Sequence, residues 1–233
     1  MFNIGYISYK NVAVIHNIHE VCIMDDCNFN FRTDMADERV DEYKRKNNIS
    51  NIDGVKVDTQ KSNFFSVTTV DVLNENGSKI LSKDIGKYIT MQIDNIKYLE
   101  ETQKQEVIKK LADVIISLIG NDTQKSVMVV GLGNLYVTPD CLGPKVVQNI
   151  NITRHLIKFA QNLVESGTRQ ISAISPGVLG TTGIETSEIV LSVVNNIKPD
   201  IVIVIDSLVS QSIDRIGCTI QLGNTRNCTW SWS

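Results

Sequence analysis

Two acidic residues stand where a carboxylate can do chemistry. Asp206 ends the apolar run IVIVI, and Asp140 lies in the loop GLGNLYVTPDCLGP that follows the apolar run VMVV. A carboxylate at the end of so apolar a strand must be paired, hydrogen-bonded or protonated. Asp140 has a second reading, because an Asp just ahead of Pro144 also suits a turn or a helix cap, where it accepts backbone N–H bonds. If the two runs are strands of one parallel sheet, both acids fall in the crevice beyond the strands' carboxyl ends, where ligands gather. Two carboxylates across one crevice can share a proton and activate water.

Other candidates carry less. Gly131 and Gly133 suggest a nucleotide loop, but GLGNLY lacks the third glycine of GxGxxG, and no acidic residue closes a second strand about 20 residues on. SPGVLGTTGIET, with Gly177, Gly180 and Gly183, opens a helix whose N-terminus could hold an anion; without a P-loop lysine it reads as a tight turn. His155 is the one histidine of the second half and reads as a packed or surface residue. Ser207 and Ser210 have no His partner nearby, so no serine triad is supported, and Cys141 reads as a small buried hydrophobe. The cysteines (Cys22, Cys27, Cys141, Cys218 and Cys228) are odd in number and offer no second pair for zinc, so free thiols are expected. No metal and no cofactor is expected.

The elements that must position the two acids follow from periodicity. Val107, Ile108, Leu111, Ala112, Ile115, Leu118 and Ile119 recur at helical spacing before Gly120. Strands are then expected at Val127 to Gly131, Ile171 to Ser175, Ile201 to Ile205 and Cys218 to Leu222. Helices are expected at Pro144 to about Val164 and Ile184 to Ile197. Near-continuous apolar strands between amphipathic helices predict an α/β fold, a mostly parallel sheet with helices on both faces. Ahead of it, Val55 to Ile93 is a Thr-rich β pattern with Asn76-Gly77 as its turn, a small hairpin or meander packing on the main part. Residues 1–50 read as a polar N-terminal arm. Its charged stretch DMADERVDEYKRKNN is expected as a solvated helix without an apolar stripe. The expected organisation is therefore 1–50 arm, 51–100 β-rich segment, 101–225 α/β core and 226–233 tail.

At 42% hydrophobic and 21% charged, the 233 residues describe a soluble globular chain with one ordinary core or two small ones. No apolar run nears the roughly 18 residues of a membrane helix, and the N-terminus shows no secretory signal. A net charge of −3 with 23 basic residues gives no broad positive field, so neither nucleic acid nor membrane is an expected direct partner.

VVGLGNLYVTPDCLGPKVV, NITRHL, SAISPGVLGTTGIETSEIV and KPDIVIVIDSLVSQSIDRIGCTIQL resemble, in order and spacing, the germination protease family of spore-forming bacteria. FRTDMADE at Phe31 to Glu38 resembles that family's start after its propeptide, and GKYITMQ resembles its β-rich segment. The likeness covers about residues 24 to 225. It implies an endopeptidase that degrades small acid-soluble spore proteins during germination in the cytoplasm of the spore core. It also implies a self-processing zymogen that assembles as a homotetramer. Family members use neither a serine nor a cysteine nucleophile; the resemblance assigns the chemistry to a pair of aspartates, which by motif are Asp140 in VTPDCLGP and Asp206 in VIDSLVS. The runner-up is the hydrogenase-maturation endopeptidase type, which shares the fold and binds nickel through its acids. It is disfavoured because its members are shorter and lack the RTD start and the β-rich insertion.

Both ends depart from the family pattern. Residues 1–23 have no counterpart and are of doubtful authenticity, which makes Met24 the expected start and MDDCNFNF the stub of a propeptide. The family continues after TIQ with a glycine-rich run like NTGIAPGAGVGN, whereas this chain reads NTRNCTWSWS. Codons that spell this tail become codons for NTGIAPGAGV when a single A is deleted after ACA, so a one-base insertion and an out-of-frame tail at 226–233 are expected. A chain stopping there is expected to lose cover over one side of its sheet, and with it activity. A non-catalytic fragment that keeps the fold is the alternative.

Overall fold

The computed structural model describes residues 12–21, 35–210 and 212–225, with 12–21 and position 209 described through their backbone. Cys22, Cys27, Cys228, the propeptide stub, the RTD start and the 226–233 tail lie outside the described residues. Eight strands form one sheet: β1 (Val12–Val21), β2 (Val55–Lys61), β3 (Phe65–Val72), β4 (Gly86–Ile93), β5 (Val127–Gly131), β6 (Ile171–Ile174), β7 (Ile201–Ser210) and β8 (Thr219–Gly223). Their order is β2-β3-β4-β8-β1-β7-β5-β6. β1, β7, β5 and β6 run parallel. β2, β3 and β4 form an antiparallel meander, which β8 joins to β1, antiparallel to both neighbours. The predicted α/β class stands, and the β-rich segment continues the main sheet instead of packing on it.

Helices cover both faces. α3 (Glu101–Ile119) and α4 (Leu142–Asn149) lie on one side. There Val107 and Val114 meet Met91, Ile93 and Leu222, while Val146 and Val147 meet Val129, Ile203 and Ile205. On the other side α7 (Thr186–Ile197) sets Val190 and Val194 against Met128, Val130 and Val204. α1 (Ala36–Asn47) and α2 (Glu75–Leu81) cover the meander through Ala36, Val40 and Leu81 on Val70, Val72 and Tyr88. The short helices α5 (Arg154–Phe159) and α6 (Leu179–Thr182) lie in the connections.

Several elements differ from the sequence reading. The arm contains β1, paired between β7 and β8 in the middle of the sheet. Its HNIHE breaks the apolar run, which is why no strand was legible there. α1 does carry an apolar stripe, since Ala36, Val40 and Tyr43 recur at i, i+4 and i+7 and face the meander. Its acidic first turn and basic last turn complement the helix dipole. Asn76-Gly77 sits inside α2, whose N-cap Asn74 accepts the Gly77 N–H at 2.9 Å. Gly77 is needed there for close packing, because a Cβ would come within 2.5 Å of the Gly54 carbonyl oxygen. The helix expected from Pro144 to Val164 is broken between α4 and α5. The Thr153 hydroxyl leaves the helical path to donate to the Arg169 carbonyl at 2.6 Å and to accept the Ile171 N–H at 2.8 Å.

Candidate active site

β5 and β7 are adjacent and parallel, with Gly131 opposite Ile205, so both chains leave the sheet at the same edge. The Leu132 N–H donates to the Ile205 carbonyl at 2.8 Å and ties the start of the 132–140 loop to the residue before Asp206. Ser126 and Asp200 clip the opposite ends of the same two strands. The Asp200 carboxylate accepts the Ser126 N–H at 2.8 Å and its hydroxyl at 2.7 Å. Those bonds, the hydroxyl's first, hold the Asp200 carboxyl below the usual carboxylate range.

Asp140 ends a single 3₁₀ turn, Thr138–Asp140, whose Pro139 favours the turn's opening. The Asn134 N–H donates both to the Asp140 carbonyl at 3.0 Å and to its carboxylate Oδ2 at 2.8 Å. Oδ1 has no hydrogen bond among the described residues. Asp140 therefore closes its own loop and does not cap α4, whose N-cap position is Cys141 with no side-chain capping bond. Two glycine contacts let the loop fold this tightly. A Cβ on Gly131 would strike the Gly143 carbonyl at 2.2 Å, and one on Gly133, at φ +106°, would strike the Asp140 carbonyl at 2.1 Å. The glycines that resembled a nucleotide loop serve the seating of Asp140.

Asp206 is half-buried on β7, one residue beyond the last β5 pairing, and its Oδ1 accepts the Ser207 N–H at 2.8 Å. On its other flank stands β1, with His16 as the register partner of Asp206. The 3₁₀ turn bearing Asp140 lies against both β7 and β1. The two predicted acids thus share one edge of the sheet, brought there by adjacent parallel strands.

The remaining candidates fall elsewhere or serve packing. His155 is exposed on α5, whose preceding Thr153 bonds to Ile171 at the opposite end of the parallel strands. Cys141 is buried, its thiol donating to the Thr138 carbonyl at 3.0 Å. Ser210 donates to Glu38 at 2.8 Å, and the buried Ser207 hydroxyl has no partner among the described residues. Gly177 and Gly183 both take positive φ, at +80° and +70°, around the four-residue α6, as a tight turn requires.

Sequence reasoning missed three contributors. The Asn134 backbone clamp has no side-chain signature. The strand β1, which flanks Asp206, stands in a stretch read as an arm. Arg215 lies on the segment after β7 and pairs with Asp37 at 2.7 Å and Glu38 at 3.3 Å, fastening the first turn of α1 to that segment.

A model of the family described as germination protease matches residues 32–228, which include both aspartates. The chain belongs to the germination protease family. A germination protease of Clostridium tetani is 46% identical over 194 residues, covering 83% of this chain and 60% of that protein. One from Clostridium acetobutylicum is 42% identical over 197 residues, with the same two coverages. One from Priestia megaterium is 40% identical over 210 residues, covering 87% of this chain and 56% of the relative. The chain thus spans about three fifths of the length of the relatives it matches. β1 lies outside the family match although it stands in the centre of the sheet.

Proposed function

We propose that Asp140 and Asp206 form the hydrolytic pair of an endopeptidase that cuts small acid-soluble spore proteins during germination in the spore core. The observation that supports this reading is that both acidic residues leave adjacent parallel strands at one sheet edge, where the Leu132–Ile205 bond ties the two chains together. One carboxylate, ionised, takes a proton from water as the water oxygen bonds to the scissile carbonyl carbon. The other, protonated, hydrogen-bonds to the carbonyl oxygen. The C–N bond then breaks as a proton passes to the leaving amine, and the products are a carboxylic acid and an amine.

The same proposal includes self-processing of a zymogen and homotetrameric assembly. For self-processing the support is local. Met35 is fully buried against Leu208, two residues beyond Asp206 on the same side of β7. The Ala36 N–H is pinned by the Gln221 side chain at 2.9 Å. At about 3.3 Å per residue, Leu208 lies roughly 7 Å along the strand from Asp206. The Met35–Ala36 peptide is therefore held near Asp206.

The test incubates the chain with a small acid-soluble spore protein, following cleavage by mass spectrometry. Asp140→Asn and Asp206→Asn are each expected to lower the rate by roughly 10²–10⁴. Wild-type cleavage by either folded variant removes the pair from the mechanism.

A further inference from the structure

One row of register partners runs across the sheet as Thr59, Thr68, Thr90, Gln221, His16 and Asp206. At its far end from Asp206, under the first turns of α1, lies a cavity of about 150 Å³ whose walls include Asp37, Val40, Asp41, Val57, Thr90 and Arg215. Its remaining walls are hydroxyl and amide side chains of β2, β3 and β4.

Two wall residues are buried and incompletely bonded. Asp37 is 8% exposed and Thr90 3%, yet Asp37 Oδ1 and Thr90 Oγ1 have no hydrogen-bond partner among the described residues. A buried acceptor in that condition is costly, so the cavity calls for a hydrogen-bond donor. Charge narrows the choice. Arg215 is taken up by Asp37 Oδ2 and Glu38, which leaves the Asp41 carboxylate without a basic partner within salt-bridge distance among the described residues. Burial first, and then the charge of Asp37, push the Asp41 carboxyl above its ordinary range against the opposing pull of Arg215 and Lys44. An anion is repelled by such a wall. A divalent cation lacks its ligands, since no group of three His, Cys, Asp or Glu able to hold a metal occurs among the described residues. Val40 and Val57 supply apolar flanks suited to methylene groups.

We infer that this cavity takes a primary alkylammonium group, the head of a lysine side chain or of a free amine. The ammonium donates its three N–H bonds to Asp37 Oδ1, Thr90 Oγ1 and Asp41, and the alkyl chain lies along Val40 and Val57. At about 30 Å³ per water, the volume equals roughly five waters, enough for an ammonium and a short chain. The site is three strands from Asp206 along the row, so it stands or falls separately from the peptidase reading.

The experiment titrates n-butylammonium into the full chain by ligand-observed NMR, with n-butanol and potassium as controls. A one-lysine peptide, compared with its norleucine counterpart, distinguishes a protein side chain from a free amine as the source. Saturable butylammonium binding, with a Kd on the order of 1–10 mM and at least a tenfold weakening by Thr90→Val and by Asp41→Asn, is expected. Asp41→Asn relieves a like charge in the empty protein, so its loss of binding cannot come from unfolding. Binding no better than that of butanol, equal displacement by potassium, or unchanged affinity in both variants overturns the inference.

Discussion

Gly133→Ala tests the loop that seats Asp140. At φ +106° an L-residue is strained by about 1–3 kcal/mol. The added Cβ would also sit 2.1 Å from the Asp140 carbonyl oxygen and 2.7 Å from its Oδ1, against the 3.0 Å that Cβ contacts respect. The backbone of Asp140 must therefore retreat by about 0.9 Å, and the Asn134 N–H loses one or both of its acceptors. Losing that charge-assisted bond adds about 1.5–3 kcal/mol, so the loop is expected to weaken by roughly 2.5–6 kcal/mol. On the proposed role of Asp140 in hydrolysis, a displacement near 1 Å costs about 10² in rate. Gly167→Ala is the control, since Gly167 has φ +85°, lies on an exposed turn and has nothing within 4 Å of its would-be Cβ. It should carry the backbone strain alone and keep activity. The assay pairs urea unfolding with the rate of thiol labelling at Cys141, which is 4% exposed and bonded to the Thr138 carbonyl in the same loop. Faster Cys141 labelling in Gly133→Ala, with none in Gly167→Ala, is the expected result. Identical labelling and identical stability loss in the two variants would refute the claim that Gly133 exists to admit Asp140.

Three further outcomes follow from charge. Arg215→Met strips the largely buried partner from Asp37 and Glu38 and is expected to cost about 3 kcal/mol by urea denaturation, with α1 exchanging its amide hydrogens first. Asp41 has a raised carboxyl pKa in the folded state, so its charge destabilises the protein above that pKa and ceases to do so as pH falls through it. Asp41→Asn should accordingly raise the unfolding midpoint at pH 7 and leave it unchanged near pH 3. Asp200 has the opposite sign: its lowered pKa gives stability that is present at neutral pH and lost as pH falls through the folded value. Ser126→Ala, which removes the largest of its causes, should flatten that acid dependence in a series of melting curves.

The two acids were legible because each follows an apolar run long enough to be a strand, and adjacent parallel strands deliver such residues to one edge. The bonds that aim them were not, because the Asn134 clamp is made by a backbone N–H and any residue type could donate it. The direction of β8 was open to sequence reasoning, although the predicted mostly parallel sheet left it unassigned. Only eight residues separate Ser210 from Thr219, fewer than the dozen or so that a parallel crossover needs, so β8 had to return antiparallel.

β1 was hidden for a physical reason that bears on function. A central strand of a parallel sheet normally reads as unbroken apolar residues, since both faces are covered. His16 interrupts that reading at the register position between Gln221 and Asp206, in a row that also holds Thr90, Thr68 and Thr59. Polar residues in one row across six strands are not what a core demands, because each needs a partner that an aliphatic side chain does not. The two ends of that row are the proposed hydrolytic pair and the proposed ammonium cavity, and its middle, Gln221, holds the N–H that starts α1. The polar residue that obscured the strand stands in the row that joins the two proposed sites. A substitution that restores the strand pattern, Gln221→Leu, should release the Ala36 N–H and loosen the first turn of α1 while adding apolar area to the sheet. Amide exchange at Ala36 and Asp37 measures this directly. Unchanged protection there would mean that α1 is held by Val40 and Arg215 alone, and that the polar row has no part in presenting the chain to Asp206.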